Sequence, residues 1–165
     1  MMAGTANLLC QTSSVEDTRR LGERLGTFMK SMDAPLCVAL IGDLGTGKTH
    51  FSQGIAIGFG INEEVTSPTF ALMNTYETAG DNLYHFDLYR LDEEDELAPI
   101  GFDEFTDDTK SIVEWADKFP DTMPEETLWV TINRISDTER KFIFSSSYIP
   151  YNELVQIGGP YVFGN

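Results

Sequence analysis

The apolar positions of the chain change period several times. From residue 14 to 32, Val15, Leu21, Leu25, Phe28, Met29 and Met32 recur at helical spacing. Ser13-Ser14 followed by Glu16-Asp17 supplies the hydroxyl cap and the first-turn acids of a helix start. Leu36 to Ile41 (LCVALI) is an unbroken apolar run of strand length, the pattern of a strand covered on both faces. After a glycine-rich stretch over 42–47, Phe51, Ile55 and Phe59 return on one helical face within 48–59, and Gly60 is a stop signal. Phe70 to Tyr76 and Leu83 to Phe86 are β-type runs about a polar turn at 78–82, which predicts a hairpin. Residues 92–97 begin a short helix, and Ser111 to Val113 is a short strand ending at Glu114. Leu128 to Asn133 and Arg140 to Phe144 form a second hairpin pattern across Asp137-Thr138. Residues 1–11 are peripheral, and 145–165, with Pro150, Gly158, Gly159 and Pro160, read as an irregular tail. The sum is a single α/β domain with a central mixed sheet, partly parallel and partly antiparallel, flanked by helices.

Composition narrows what such a domain does. At 165 residues and 41% hydrophobic, the chain has the size and make-up of one folded domain. No apolar run approaches the ~18 residues that cross a bilayer. The N-terminus has no positive charge before its short apolar stretch, so no signal peptide is expected. Cys10 and Cys37 alone do not make a disulfide framework, and a cytoplasmic protein with two reduced thiols is expected. With 27 acidic residues against 11 basic ones, the net charge is -16, which makes the chain a poor binder of a nucleic-acid backbone by itself. Work on nucleic acid through a partner stays open. Much of the charge lies in Asp92, Glu93, Glu94, Asp95, Glu96, Asp103, Glu104, Asp107 and Asp108, either a solvated surface or a docking face for a basic partner.

Chemistry enters at the glycine-rich stretch. Gly42-Asp43-Leu44-Gly45-Thr46-Gly47-Lys48-Thr49 fits the P-loop pattern G-x-x-x-x-G-K-[S/T] at every fixed position. Glycines let successive backbone N–H groups approach phosphate oxygens without a Cβ between them, and the next helix aims its positive end at the same anion. Lys48 is placed for the β- and γ-phosphates of a nucleotide, and the Thr49 hydroxyl for Mg²⁺. The strand before the loop and the helix after it are the required context, so the domain is P-loop NTPase-like.

Mg-nucleotide hydrolysis also needs a carboxylate at the tip of a neighbouring strand. Asp87 and Glu114 each end an apolar run and are the two choices. Alternation puts Leu83, His85 and Asp87 on one strand face, so His85 either supports Asp87 or is a core histidine. Trp115 beside Glu114 is either core or a nucleotide-stacking ring. Ser67-Pro68-Thr69 is either a rigid turn or a switch-like loop whose threonine senses a γ-phosphate.

These segments together resemble one family. The P-loop, then Thr66-Ser67-Pro68-Thr69-Phe70, then Tyr84-His85-Phe86-Asp87-Leu88-Tyr89-Arg90-Leu91, then Val113-Glu114-Trp115 are similar, in order, to the TsaE family, also called YjeE. Glu96-Leu97 with Gly101-Phe102 fits that family's acidic segment, and the likeness spans roughly residues 14 to 134. The resemblance implies a small bacterial ATPase needed to make N6-threonylcarbamoyladenosine at position 37 of tRNAs reading ANN codons. It implies ATP and Mg²⁺ as ligands and TsaB and TsaD as partners, with tRNA met only through their complex. It places Thr49 and Glu114 near magnesium, Asp87 in a Walker-B-like role, Thr69 in the switch-like loop and Trp115 beside the nucleotide. Arg140 takes the place of a basic residue near the nucleotide.

Two other functions compete. A P-loop small-molecule kinase needs arginines to hold its acceptor and cover the transferring phosphate. After the loop this chain has only Arg90, Arg134 and Arg140, with no arginine-rich lid. A nucleotide-binding module without turnover is the third reading.

Overall fold

The computed structural model describes residues 5–43, 45–62 and 72–163. The strands are β1 (Ala6–Thr12), β2 (Leu36–Ile41), β3 (Met73–Thr78), β4 (Asp81–Asp87), β5 (Lys110–Glu114), β6 (Thr127–Arg134) and β7 (Arg140–Ser146). The α-helices are α1 (Val15–Ser31), α2 (Lys48–Phe59), α3 (Phe102–Thr106) and α4 (Tyr151–Gly158). All seven strands join one sheet in the order β1-β7-β6-β2-β5-β4-β3. Its centre, β6-β2-β5-β4, is parallel. Antiparallel pairs form both wings, β1-β7-β6 on one side and β4-β3 on the other. The mixed α/β architecture expected from the pattern is therefore present.

Local chemistry explains the boundaries. Ser14 caps α1, its Oγ accepting from Asp17 N at 3.0 Å. Gly60 ends α2 with φ of 100°, a left-handed conformation that suits a residue without a side chain. The first hairpin turns at Ala79-Gly80, tighter than the 78–82 segment its polarity marks. Residues 94–96 form a single 3₁₀ turn rather than an α-helix.

One face of the sheet carries α1, α2 and α4 over a core that includes Leu21, Leu25, Phe51, Ile55, Phe59, Phe142 and Phe144. The helices α1 and α2 cross backbone to backbone. A Cβ on Gly26 would lie 1.9 Å from Ile55 O, and one on Gly54 would lie 2.1 Å from Arg19 O. The other face is covered by α3 and short 3₁₀ turns over a second core of Phe86, Leu88, Leu97, Phe102, Val113 and Phe119.

The two chain ends differ from their irregular reading. Residues 6–12 form the edge strand β1, and residues 151–158 form α4, whose Leu154 and Ile157 are buried in the larger core. Val162 bridges to Cys10, and Phe163 N donates to Leu9 O at 2.9 Å, so the tail folds back on β1. Both thiols are free and buried, and desolvation pushes each up to about 12, which removes them as nucleophiles near neutral pH. Among the described residues no helix is long and apolar enough to cross a membrane.

Candidate functional site

The parallel strands β2, β5 and β4 are neighbours and point the same way, so their carboxyl ends form one edge. In α/β sheets ligands bind along that edge. Register sets Leu40 opposite Glu114 and Glu114 opposite Asp87. The P-loop leaves β2 one residue further on, so both predicted carboxylates stand beside it.

The described residues of the loop are shaped from within. Gly45 and Gly47 have φ of 81° and 102°, a region where a Cβ is strained. Thr46 Oγ1 donates to Asp43 O at 2.8 Å, closing the turn on itself. Gly47 is the N-cap of α2 and no side chain caps that end. The first N–H groups of a twelve-residue helix are thus available to an anion at the loop.

A cleft of about 430 Å³ opens at this edge, lined among others by Gly45, Gly47, Lys48, Thr49, Asp87, Tyr89, Glu114, Trp115 and Arg140. Lys48 is 6% exposed; its Nζ donates to Gly42 O and lies 3.5 Å from the centre of the Trp115 ring. Burial lowers the Lys48 pKa from its ordinary value, while Glu114, Asp87, Asp117 and Asp43 pull it back up. Trp115 takes a left-handed backbone, φ 62°, and packs on Tyr89 at 4.9 Å between ring centres. It is therefore neither plain core nor free, but a wall of the cleft. Asp87 Oδ1 accepts from Tyr89 N at 3.0 Å.

Arg140 comes from the far wing, at the start of β7. Its Nε donates to Thr46 O at 2.9 Å, and Nη1 donates to Ser136 O at 2.7 Å and Glu139 O at 2.9 Å. The guanidinium braces the P-loop and lines the cleft, with no partner for Nη2 among the described residues. His85 is buried, as a core histidine is, and its Nε2 lies 2.5 Å from Oε2 of Glu114, so the carboxylate it meets is Glu114 rather than Asp87. The structure thus brings together Gly42, Asp43, Gly45, Thr46, Gly47, Lys48, Thr49, Asp87, Glu114, Trp115 and Arg140 at one edge. Leu44, Thr69 and the rest of the Thr66–Phe70 motif lie outside the described residues. Three further lining residues, Val15, His50 and Tyr89, were not singled out for the site, although Tyr89 lies in the Tyr84–Leu91 motif. Tyr89 is an exposed aromatic, and Val15 is the first residue of α1.

Among the described residues no cluster of three or more His, Cys, Asp or Glu forms a resident metal centre. The donors at the cleft are a hydroxyl and two carboxylates, a hard oxygen set that suits Mg²⁺ shared with phosphate. A concavity of about 670 Å³ between α1 and α4 has more room, but its Arg24 already donates to Gln156 O and Ile157 O. Convergent charge, not volume, distinguishes the cleft at the P-loop.

Residues 12–142 match the model of the family described as threonylcarbamoyl adenosine biosynthesis protein TsaE. The chain belongs to the TsaE family. It is 38% identical over 137 residues to the tRNA threonylcarbamoyladenosine biosynthesis protein TsaE of Bacillus subtilis, covering 82% of this chain and 84% of that one. It is 35% identical over 133 residues to the TsaE of Treponema pallidum, covering 80% and 96%. Its fold is similar to the crystal structure of Bacillus subtilis YdiB, with a TM-score of 0.71 and 30% identity over 92% of this chain and 93% of that one. Membership of TsaE ties the chain to threonylcarbamoyladenosine biosynthesis.

Proposed function

We propose that this TsaE-family chain binds and hydrolyses ATP with Mg²⁺ to support formation of the threonylcarbamoyl group at N6 of adenosine 37 in tRNAs reading ANN codons. It acts with a TsaB–TsaD-type complex in the cytoplasm and meets tRNA only through that complex. The observation that carries the reading is the convergence of Lys48, Thr49, Asp87, Glu114 and Arg140 on one cleft at the uncapped start of α2. Lys48 acts as a point charge on the β- and γ-phosphates, leaving Gly42 O and the Trp115 ring to do so. Backbone N–H groups of Gly45 to Thr49 cradle the phosphates. Thr49 and one of Asp87 and Glu114 hold Mg²⁺, and the other orients water or the metal's shell. Bound Mg²⁺ supplies neutralisation of the charge that develops between the terminal phosphates.

Partner dependence follows from arginine placement. An arginine finger is worth ~10³ to 10⁵ in rate when it reaches the transferring phosphate. Arg140 has Nε and Nη1 tied to three carbonyls, so it is engaged in bracing the loop rather than standing as a finger over the phosphate. Turnover by the isolated chain is therefore slow, and a partner completes the site.

Steady-state phosphate release tests this, with and without TsaB and TsaD. Thr49→Ala and Glu114→Ala each lower Mg²⁺-dependent release by roughly 100-fold or more, since metal anchoring contributes several kcal/mol. The parental chain is slow alone and rises when the partners are added. Parental rates in both variants overturn the site assignment, full-rate hydrolysis alone overturns partner dependence, and a phosphorylated small molecule among the products favours a kinase.

A further inference from the structure

His85 precedes Asp87 by two residues on β4 and stands in register with Ile112, two residues before Glu114 on β5. Strand alternation turns His85 and Glu114 to the same face of the sheet. Both are buried, at 1% and 3% exposed, and Nε2 lies 2.5 Å from Oε2. With a carboxylate as the acceptor, the Nε2 hydrogen is the donor. The other ring nitrogen, Nδ1, is buried without a hydrogen-bond partner among the described residues.

That asymmetry is informative. A buried nitrogen left unpaired is destabilising, so an imidazole held here for packing alone does worse than a leucine of similar size. What it adds is a single donor aimed at one carboxylate oxygen. Glu114 has no other side-chain donor among the described residues, yet it lines the cleft. Pinning Oε2 fixes the plane of the carboxylate and leaves Oε1 as the oxygen available to the cleft.

We propose that His85 is a positioning residue, which holds Oε2 of Glu114 so that Oε1 is presented to the Mg²⁺-nucleotide. The proposal rests on the reading that Glu114 serves that ligand. Groups that orient a metal-binding side chain in this way are typically worth ~10- to 100-fold in affinity or rate.

The test uses the full chain as His85→Leu, His85→Gln and Glu114→Ala, with the partner complex present. It reads kcat, the Mg²⁺ concentration for half-maximal ATP hydrolysis, ATP affinity in EDTA, and Tm. His85→Leu is expected to lower kcat or raise the Mg²⁺ requirement by at least ~10-fold, with ATP affinity in EDTA and Tm at or above parental. His85→Gln, whose amide N–H reaches the place of Nε2, recovers most of that loss. Parental kinetics for His85→Leu beside a defective Glu114→Ala overturns the proposal and leaves the site assignment standing. Parental kinetics for Glu114→Ala overturns both. Equal defects in Leu and Gln, or defects that track a fall in Tm, make His85 a packing residue and also overturn it.

Discussion

Lys110 and Lys48 are both almost fully buried, at 7% and 6% exposed, and they stand at opposite edges of the sheet. Lys110 opens β5, and its Nζ donates at 2.7 Å to both Met32 O and Asp81 Oδ2. Its charge is matched inside the chain, and it joins β5 to the β3–β4 turn and the end of α1. Lys48 makes no ion pair with a described carboxylate; it rests on one carbonyl and one indole face, with Glu114 and Asp87 near enough to raise its pKa. A buried cation without a matched anion is expensive unless a ligand supplies the charge. One lysine is structural; in the proposed function the other is held ready for phosphate.

Exchanging the two should separate affinity from stability, and this is the largest effect expected. Lys48→Ala is expected to lose ATP affinity by about 100-fold, and AMP affinity by much less, because only ATP offers terminal phosphates to a point charge. Lys110→Met should leave both affinities within about twofold while lowering stability by about 1–2 kcal/mol, a value discounted because Asp81 is partly exposed. Calorimetric titration and urea unfolding read the two outcomes. Equal losses for ATP and AMP in Lys48→Ala would remove it from the terminal phosphates.

A second effect concerns the platform on which Lys48 rides. Gly54 meets the α1 backbone so closely that Gly54→Ala must push α2 away from α1. Overpacking of this kind costs about 1–3 kcal/mol, and it should weaken ATP binding as well because α2 carries Lys48 and Thr49. Undiminished stability in Gly54→Ala would show that the helices can separate freely.

The smallest effect is a pH dependence. Lys48 has its pKa lowered by burial from 10.5, so the folded chain releases that proton before the unfolded chain does. Between the lowered value and 10.5 the unfolded state binds more protons, and stability from this group rises with pH. Without nucleotide, the parental chain should therefore gain on Lys48→Met as pH climbs through that window. Parallel unfolding profiles for the two would mean that Lys48 is better solvated than its burial indicates.

Much of this arrangement is legible along the chain. The limits of β2 and α2 follow from the apolar run and the i, i+4, i+8 face, and the P-loop lies between them at the predicted residues. Asp87 and Glu114 end their strands as the pattern indicates. The chain ends were not legible. In Ala6–Thr12 the buried positions are only Leu8, Cys10 and Thr12, a weak alternation that becomes a strand because β7 offers an edge. In Tyr151–Gly158 flanking prolines and glycines mask a helix that forms because Leu154 and Ile157 find the core.

The sequence by itself determined the course of the P-loop motif, since what sets it is mostly local: glycine dihedrals, a strand before it and a helix start after it. It also supplied the hydroxyl of Thr49 and the two strand-end carboxylates, Asp87 and Glu114. Only the tertiary structure decided which residues meet. The approach of Gly26 and Gly54 to the opposite helix, the grip of Arg140 on Thr46, and the pairing of His85 with Glu114 rather than Asp87 join positions 29 to 94 residues apart. Such contacts depend on strand register and helix crossing, which are set by how all the apolar faces pack at once.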